Sequence, residues 1–174
     1  GDDMKNPYGL LKLGNENIKP IITKGILIDV AAYKGVSILP EGYEITLADI
    51  KNTLTKQGIN EAELEPGDAL LFNLGWWNIW PDKKSVDGRP AFISKEVVDW
   101  IISKKPVMVG SDASLDGPGS YVHSKLIMEN GIFNLEFMNF KATQGEKVYK
   151  FLFLFTPLRI KGATGSPGRP LAIY

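Results

Sequence analysis

The sequence predicts an α/β protein, a mixed sheet flanked by helices, and three observations predict it. Short apolar runs, Gly25-Ile-Leu-Ile, Ala69-Leu-Leu-Phe and Val107-Met-Val-Gly, alternate with amphipathic helical stretches. The runs are apolar at successive positions rather than alternate ones, as strands covered on both faces are. Helix start and stop residues fall between them at helical distances.

In chain order, residues 1–20 are polar and broken by Gly9, Gly14 and Pro20. They read as a weakly structured lead-in to a single domain over 21–174. The first strand is expected over 25–32. Thr46 followed by Asp49 is a capping-box pattern, and Leu47, Ile50 and Leu54 give the helix it opens one apolar face. Gly58 supplies the stop. A second strand is expected over 69–75.

Residues 76–90 break the pattern. Trp76, Trp77 and Trp80 stand among Pro81, Asp82, Gly88 and Pro90, so a long aromatic loop is expected. Ser94 caps the next helix, which points Val97, Val98, Ile101 and Ile102 inward and ends on Lys104 and Lys105, as the helix dipole prefers. A strand over 107–110, a loop over 111–119, a helix over 121–130 stopped by Gly131 and a short strand over 132–136 follow. Residues 148–155 form a buried aromatic strand. A glycine-rich turn over 162–170 leads to a last strand over 171–174. There is no internal repeat.

Composition excludes several functions. Lys plus Arg is 20 and Asp plus Glu is 20, for a net charge of +0. A nucleic-acid binder needs a basic surplus to displace counterions, so none is expected as a partner. There are no cysteines, which removes disulfides, thiolate nucleophiles and sulfur-ligated zinc. No apolar run approaches the roughly 20 residues of a membrane span, and no signal peptide stands at the start. A soluble chain acting on a small molecule is expected, cytoplasmic rather than exported.

Two side chains carry the candidate chemistry. His123 is the sole histidine, one turn from Ile127 on the predicted helix, and so on or beside its buried face. Glu136 stands in an apolar strand between Leu135 and Phe137. A buried ionised carboxylate is costly unless it is paired or bound to a metal. Imidazole and carboxylate are both ligands that zinc and manganese accept. The alternative is a satisfied structural histidine and a glutamate facing water. The aromatic loop has three open roles: wall of a substrate pocket through Trp76 and Trp77, oligomer interface, or cover for the core. Asp112 follows a buried strand at its carboxyl end, where α/β proteins place ligand-shaping groups. Gly110-Ser111-Asp112 does not match a nucleophile elbow, and the glycine-rich loop at 162–170 lacks the Lys-Ser/Thr of a P-loop.

Five segments together resemble the putative cyclase family, which includes bacterial kynurenine formamidases (arylformamidases). They are Pro66-Gly-Asp-Ala-Leu-Leu-Phe-Asn-Leu-Gly-Trp, Val107-Met-Val-Gly-Ser-Asp, His123 with Glu129-Asn-Gly-Ile, Leu135-Glu-Phe-Met-Asn-Phe, and Pro157-Leu-Arg-Ile-Lys-Gly-Ala-Thr-Gly-Ser-Pro-Gly-Arg-Pro. The similarity runs in order from about Ile21 to the C-terminus. It implies a swivelling β/β/α fold, metal-dependent hydrolysis of amides, esters or cyclic substrates, and homo-oligomers, dimers or tetramers. It also implies a zinc or manganese ion to which the helix histidine and the strand glutamate, here His123 and Glu136, contribute. His123 is further expected to assist catalysis.

The family's upstream motif, His-x-Gly-Thr-His-x-Asp-x-Pro-x-His, has no counterpart, since nothing before His123 is a histidine. Two explanations stand. Either the chain is the C-terminal part of a longer enzyme, or it is a short member that has lost catalysis, binds no metal and serves as a binding or assembly subunit.

Overall fold

The computed structural model describes residues 5, 6, 9–12 and 14–174. Part of the expected lead-in, residues 1–4, 7, 8 and 13, therefore lies outside the described residues. The elements in order are β1 (Lys5–Asn6), β2 (Gly9–Leu10), β3 (Ile21–Asp29), α1 (Val30–Lys34), β4 (Glu44–Ile45), α2 (Leu47–Lys56), β5 (Ala69–Asn73), α3 (Lys83–Asp87), β6 (Phe92–Ile93), α4 (Lys95–Lys104), β7 (Met108–Ser111), α5 (Tyr121–His123), β8 (Phe133–Leu135), α6 (Lys141–Gly145), β9 (Lys150–Phe155) and β10 (Leu171–Ile173). The main sheet is mixed, with strand order β10-β9-β3-β5-β7-β8. The expected α/β class with a mixed sheet flanked by helices is what the chain adopts.

The chain divides into two compact units, Lys24–Phe151 and the paired segments Gly1–Thr23 and Leu152–Tyr174. In the larger unit β3, β5, β7 and β8 run parallel, in register Leu27 to Leu71, Leu71 to Gly110 and Gly110 to Leu135. Residues of both parities are sealed from water: Ile26, Leu27, Ile28, Leu70, Leu71 and Phe72 are all 0% exposed. That is the double coverage the unbroken apolar runs predict. Val97, Val98 and Ile101 of α4 join Ile26, Ile28, Phe72 and Val109 in one core cluster. In the smaller unit β9 and β10 pair antiparallel, with Leu171 opposite Leu154 and Ile173 opposite Leu152. There Asn15 donates to Ser166 at 3.0 Å and its Oδ1 accepts from the Ile160 N–H at 3.0 Å.

The helix caps follow the sequence. Thr46 and Asp49 exchange both capping-box bonds, at 3.0 and 3.2 Å. Ser94 accepts from the Val97 N–H to open α4.

Three local expectations need correction. The first strand does not reach residue 32. It ends at Asp29, whose carboxylate accepts from the Ala32 N–H at 3.0 Å and so caps α1. An acid at that point is a helix start signal which the apolar Val30-Ala-Ala outweighed in the sequence reading. Residues 76–90 are not a plain loop: a 3-10 turn covers Trp76–Ile79 and α3 follows. The helix expected over 121–130 is α-helical only through His123 and continues as a π-helical turn over Ser124–Glu129. Ile127 is 40% exposed, so it does not mark a buried face for His123. α6 carried no expectation.

Candidate functional site

β7 and β8 end side by side at the carboxyl edge of the parallel strands, and the loop after β7 returns through α5. This edge is where open α/β sheets gather ligand-binding groups. His123 arrives from α5, Glu136 lies one residue past β8, and the two meet: Nε2 of His123 is 3.7 Å from Oε1 of Glu136. The expected convergence of helix and strand therefore exists. Neither side chain is sealed off, at 40% and 24% exposure.

Two further residues complete the group. Asp116 binds Nδ1 of His123 through Oδ2, and its Oδ1 accepts from the Val122 N–H at 2.6 Å and the His123 N–H at 3.3 Å. One carboxylate thus fixes the ring and supplies the cap of a helix whose N-cap residue, Ser120, makes no side-chain cap bond. Asn134 donates through Nδ2 to His123 Nε2 at 3.2 Å and to Glu136 Oε1 at 3.2 Å. An amide nitrogen only donates, so Nε2 is the accepting nitrogen, and the ring proton resides on Nδ1, facing Asp116. The two constraints agree, and they present the Nε2 lone pair toward Glu136. A carboxylate behind a histidine in this manner orients the ring and raises its basicity as a ligand.

The backbone around the group departs from ordinary conformations. A π-helical turn begins immediately after His123, and such turns gather at functional sites. Ser120 and Phe137 adopt positive φ, 52° and 57°. For a bulky residue such as Phe137 that region costs of order 1–3 kcal/mol. Strain thus sits next to Glu136 and at the entry to the His123 helix.

The tryptophan loop reaches this neighbourhood through one residue. Trp77 and Trp80 stack with centroids 5.2 Å apart at 13°, and Trp80 lies 6.2 Å from the ring of Phe137. Trp80 and Phe137 are each 45% exposed. Trp76 behaves differently. It is 2% exposed, and its indole N–H donates to the Ser85 carbonyl at 2.9 Å, so it packs the loop to the core. Asp112 is 1% exposed; its oxygens accept from the Leu74 N–H at 2.8 Å and the Trp77 N–H at 3.1 Å. Burial outweighs these backbone bonds and pushes its pKa up to about 6. Asp112 therefore pins the base of the tryptophan loop. A cavity of about 400 Å³ lined by Asp29, Tyr33, Lys56, Gln57, Lys147 and Tyr149 shares no residue with the His123 group.

Sequence reasoning missed Asp116, Asn134 and Phe137 as members of this site. Asn134 had a readable signal: a polar residue two before Glu136 lies on the same face of an extended chain. Asp116 had none, since nothing in its spacing ties it to His123. As to a metal, Nε2 and Oε1 fit as two adjacent donors. Among the described residues, no three His, Cys, Asp or Glu side chains converge to hold an ion. No helix is long and apolar enough to cross a membrane among the described residues.

The family model described as Putative cyclase matches residues 12–116, a segment that ends at Asp116 and before His123. A solved structure described as a novel cyclase is 32% identical with a TM-score of 0.81, over 92% of this chain and 56% of its own. Isatin hydrolase A from Ralstonia solanacearum is 18% identical with a TM-score of 0.71, over 90% of this chain and 62% of its own. A potential metal-dependent hydrolase with cyclase activity is 17% identical with a TM-score of 0.63, over 86% of this chain and 64% of its own. The last two are likenesses of fold alone. No curated protein matches the chain. The chain spans a little over half the length of the first of these structures. With a family match across well over half of its residues, the chain belongs to the putative cyclase family.

Proposed function

We propose that this chain carries the histidine–glutamate part of a metal-dependent hydrolase centre of the arylformamidase kind. Its substrate class is an amide, ester or cyclic C–N or C–O bond in a small, flat molecule. The observation that carries this reading is the 3.7 Å approach of His123 Nε2 to Glu136 Oε1, with the ring held from behind by Asp116. The likeness of fold to an isatin hydrolase and to a metal-dependent hydrolase supports the direction.

In this reading His123 and Glu136 hold a divalent ion, zinc or manganese, which supplies polarisation of the scissile carbonyl and activation of water. Asp116 holds the ring by Nδ1 and aims Nε2 at Glu136. Glu136 provides the negative charge that an oxygen-seeking cation requires. Trp77, Trp80 and Phe137, the last of them next to Glu136 in the chain, offer exposed apolar rings on which a planar substrate stacks. The working enzyme is a homo-oligomer.

The test is metal content together with hydrolysis of N-formylkynurenine and of a cyclic amide such as isatin by the complete protein. Stoichiometric zinc or manganese with turnover, both lost in His123→Ala, is expected. A protein that takes up neither metal, and whose melting temperature ignores EDTA, would instead be a non-catalytic member that binds or assembles.

A further inference from the structure

The geometry points to Asn134 as a third ligand of the cation at this site, reached by turning its side-chain amide over. This rests on the metal reading above and deepens it. Three atoms, His123 Nε2, Glu136 Oε1 and Asn134 Nδ2, form a triangle with edges of 3.7, 3.2 and 3.2 Å. The centre of such a triangle lies about 2 Å from each corner, the zinc–nitrogen and zinc–oxygen bond length. Three ligands around a tetrahedral ion at that bond length stand roughly 3.3 Å apart, so the corners already have ligand spacing.

One corner has the wrong atom. Nδ2 carries two hydrogens and no usable lone pair, and it points them at the very electron pairs a cation needs. Imidazole Nε2 has a single in-plane pair, so the Asn134 N–H and a cation cannot share it. Rotation by half a turn about the terminal torsion of Asn134 exchanges Nδ2 for Oδ1. That torsion is broad and close to twofold, so the exchange meets little resistance. It removes the competing N–H from Nε2 and brings a carbonyl oxygen, an accepted ligand of manganese, magnesium and calcium, to the third corner. Without a cation the amide hydrogens satisfy both acceptors; with one, the oxygen ligates.

The donor set would be one nitrogen and two oxygens, all from 123–136, and it suits manganese as well as zinc. The strand explains how Asn134 and Glu136 act together. They are two residues apart, so both face the histidine, while Leu135 between them turns to the other side.

The experiment is titration of this chain with Mn2+ alone. Paramagnetic broadening of the one histidine's ring signals reports on the site, and the melting temperature gives a second readout. Wild type is expected to bind, Asn134→Ala to bind roughly tenfold or more weakly, and Asn134→Asp, which offers a charged oxygen, to bind roughly tenfold more tightly. If Asn134→Ala binds as tightly as wild type or more so, the amide is a bystander or a competitor. The third-ligand assignment then falls while the metal reading stands. If neither wild type nor Asn134→Asp broadens the histidine, both fall. Should Asn134→Ala fold poorly, the Asn134→Asp comparison decides alone: unchanged or weaker affinity overturns the assignment.

Discussion

Asp116 grips His123 at Nδ1 and leaves Nε2 turned to Glu136, 3.7 Å away. The same carboxylate accepts from two backbone N–H groups at the start of α5. Ring orientation and helix start are therefore one interaction. Asp116→Ala is expected to release both, loosening divalent-metal binding by roughly 10–100-fold and costing about 1 kcal/mol of stability. Nitrogen NMR on a chain with a single histidine reads the ring directly. Wild type should show the proton on Nδ1, and Asp116→Ala a mixture of tautomers. Asp116→Asn keeps an oxygen acceptor, so it should recover much of the stability. A wild-type ring protonated on Nε2 would sink this account.

Phe137 offers a way to weigh strain at the site. Its φ of 57° suits glycine and disfavours any residue with a Cβ. Phe137→Ala and Phe137→Gly both delete the ring facing Trp80, yet only the glycine relieves the backbone. Phe137→Gly should therefore be more stable than Phe137→Ala by about 1 kcal/mol in urea denaturation. Both should lose affinity for a planar substrate analogue to a similar extent. Equal stabilities would mean that the left-handed conformation is not costly here.

The fold was legible because its signals are local. Thr46 with Asp49, Ser94 with Val97, and the unbroken apolar run Ala69-Leu-Leu-Phe each specify their element within a few residues. The strand-to-helix switch at Asp29 was the opposite case. Val30 and Ala31 are buried whether in strand or helix, so apolar character alone cannot choose between them. The site divides in the same way. His123 and Glu136 stood out as a lone histidine and a carboxylate in apolar surroundings. Asp116 became visible only when the loop after β7 folded back onto α5, whereas Asn134 was readable as the polar residue two before Glu136 on an extended chain.

Gly75 controls how the tryptophan loop leaves β5. Its φ is 78°, and a Cβ there would run into the backbone carbonyl of Ser37. A carbonyl cannot move aside as a flexible side chain can. Gly75→Ala is expected to destabilise by about 2–3 kcal/mol, since it meets both a conformational and a steric penalty. Trp76 and Trp77 follow directly, so tryptophan fluorescence should shift in parallel. A variant within about 0.5 kcal/mol of wild type would show that the loop can leave β5 by another path.

Asp112 gives the chain a pH dependence of unusual sign. Burial raises its pKa from 3.8 to about 6, against the pull of the Leu74 and Trp77 N–H groups. A raised folded-state pKa means that the folded protein takes up the proton first. The stability linked to that proton is complete below the unfolded value near 3.8 and is lost as pH rises through about 6. Acidification from pH 7 to pH 5 should therefore stabilise the chain by about 1 kcal/mol through this group. Asp49 works the other way. Burial opposes its charge, but Lys34 at 2.5 Å, the Thr46 backbone and Tyr43 prevail and lower its pKa, so its contribution is lost only as pH falls below the ordinary carboxylate range. The two windows do not overlap, and urea titrations of wild type and Asp112→Asn side by side at pH 7 and pH 5 isolate Asp112. Wild type should gain stability between those values, and Asp112→Asn should gain about 1 kcal/mol less. The same gain in both proteins would mean that the proton goes elsewhere, and that the base of the tryptophan loop keeps its charge at pH 5.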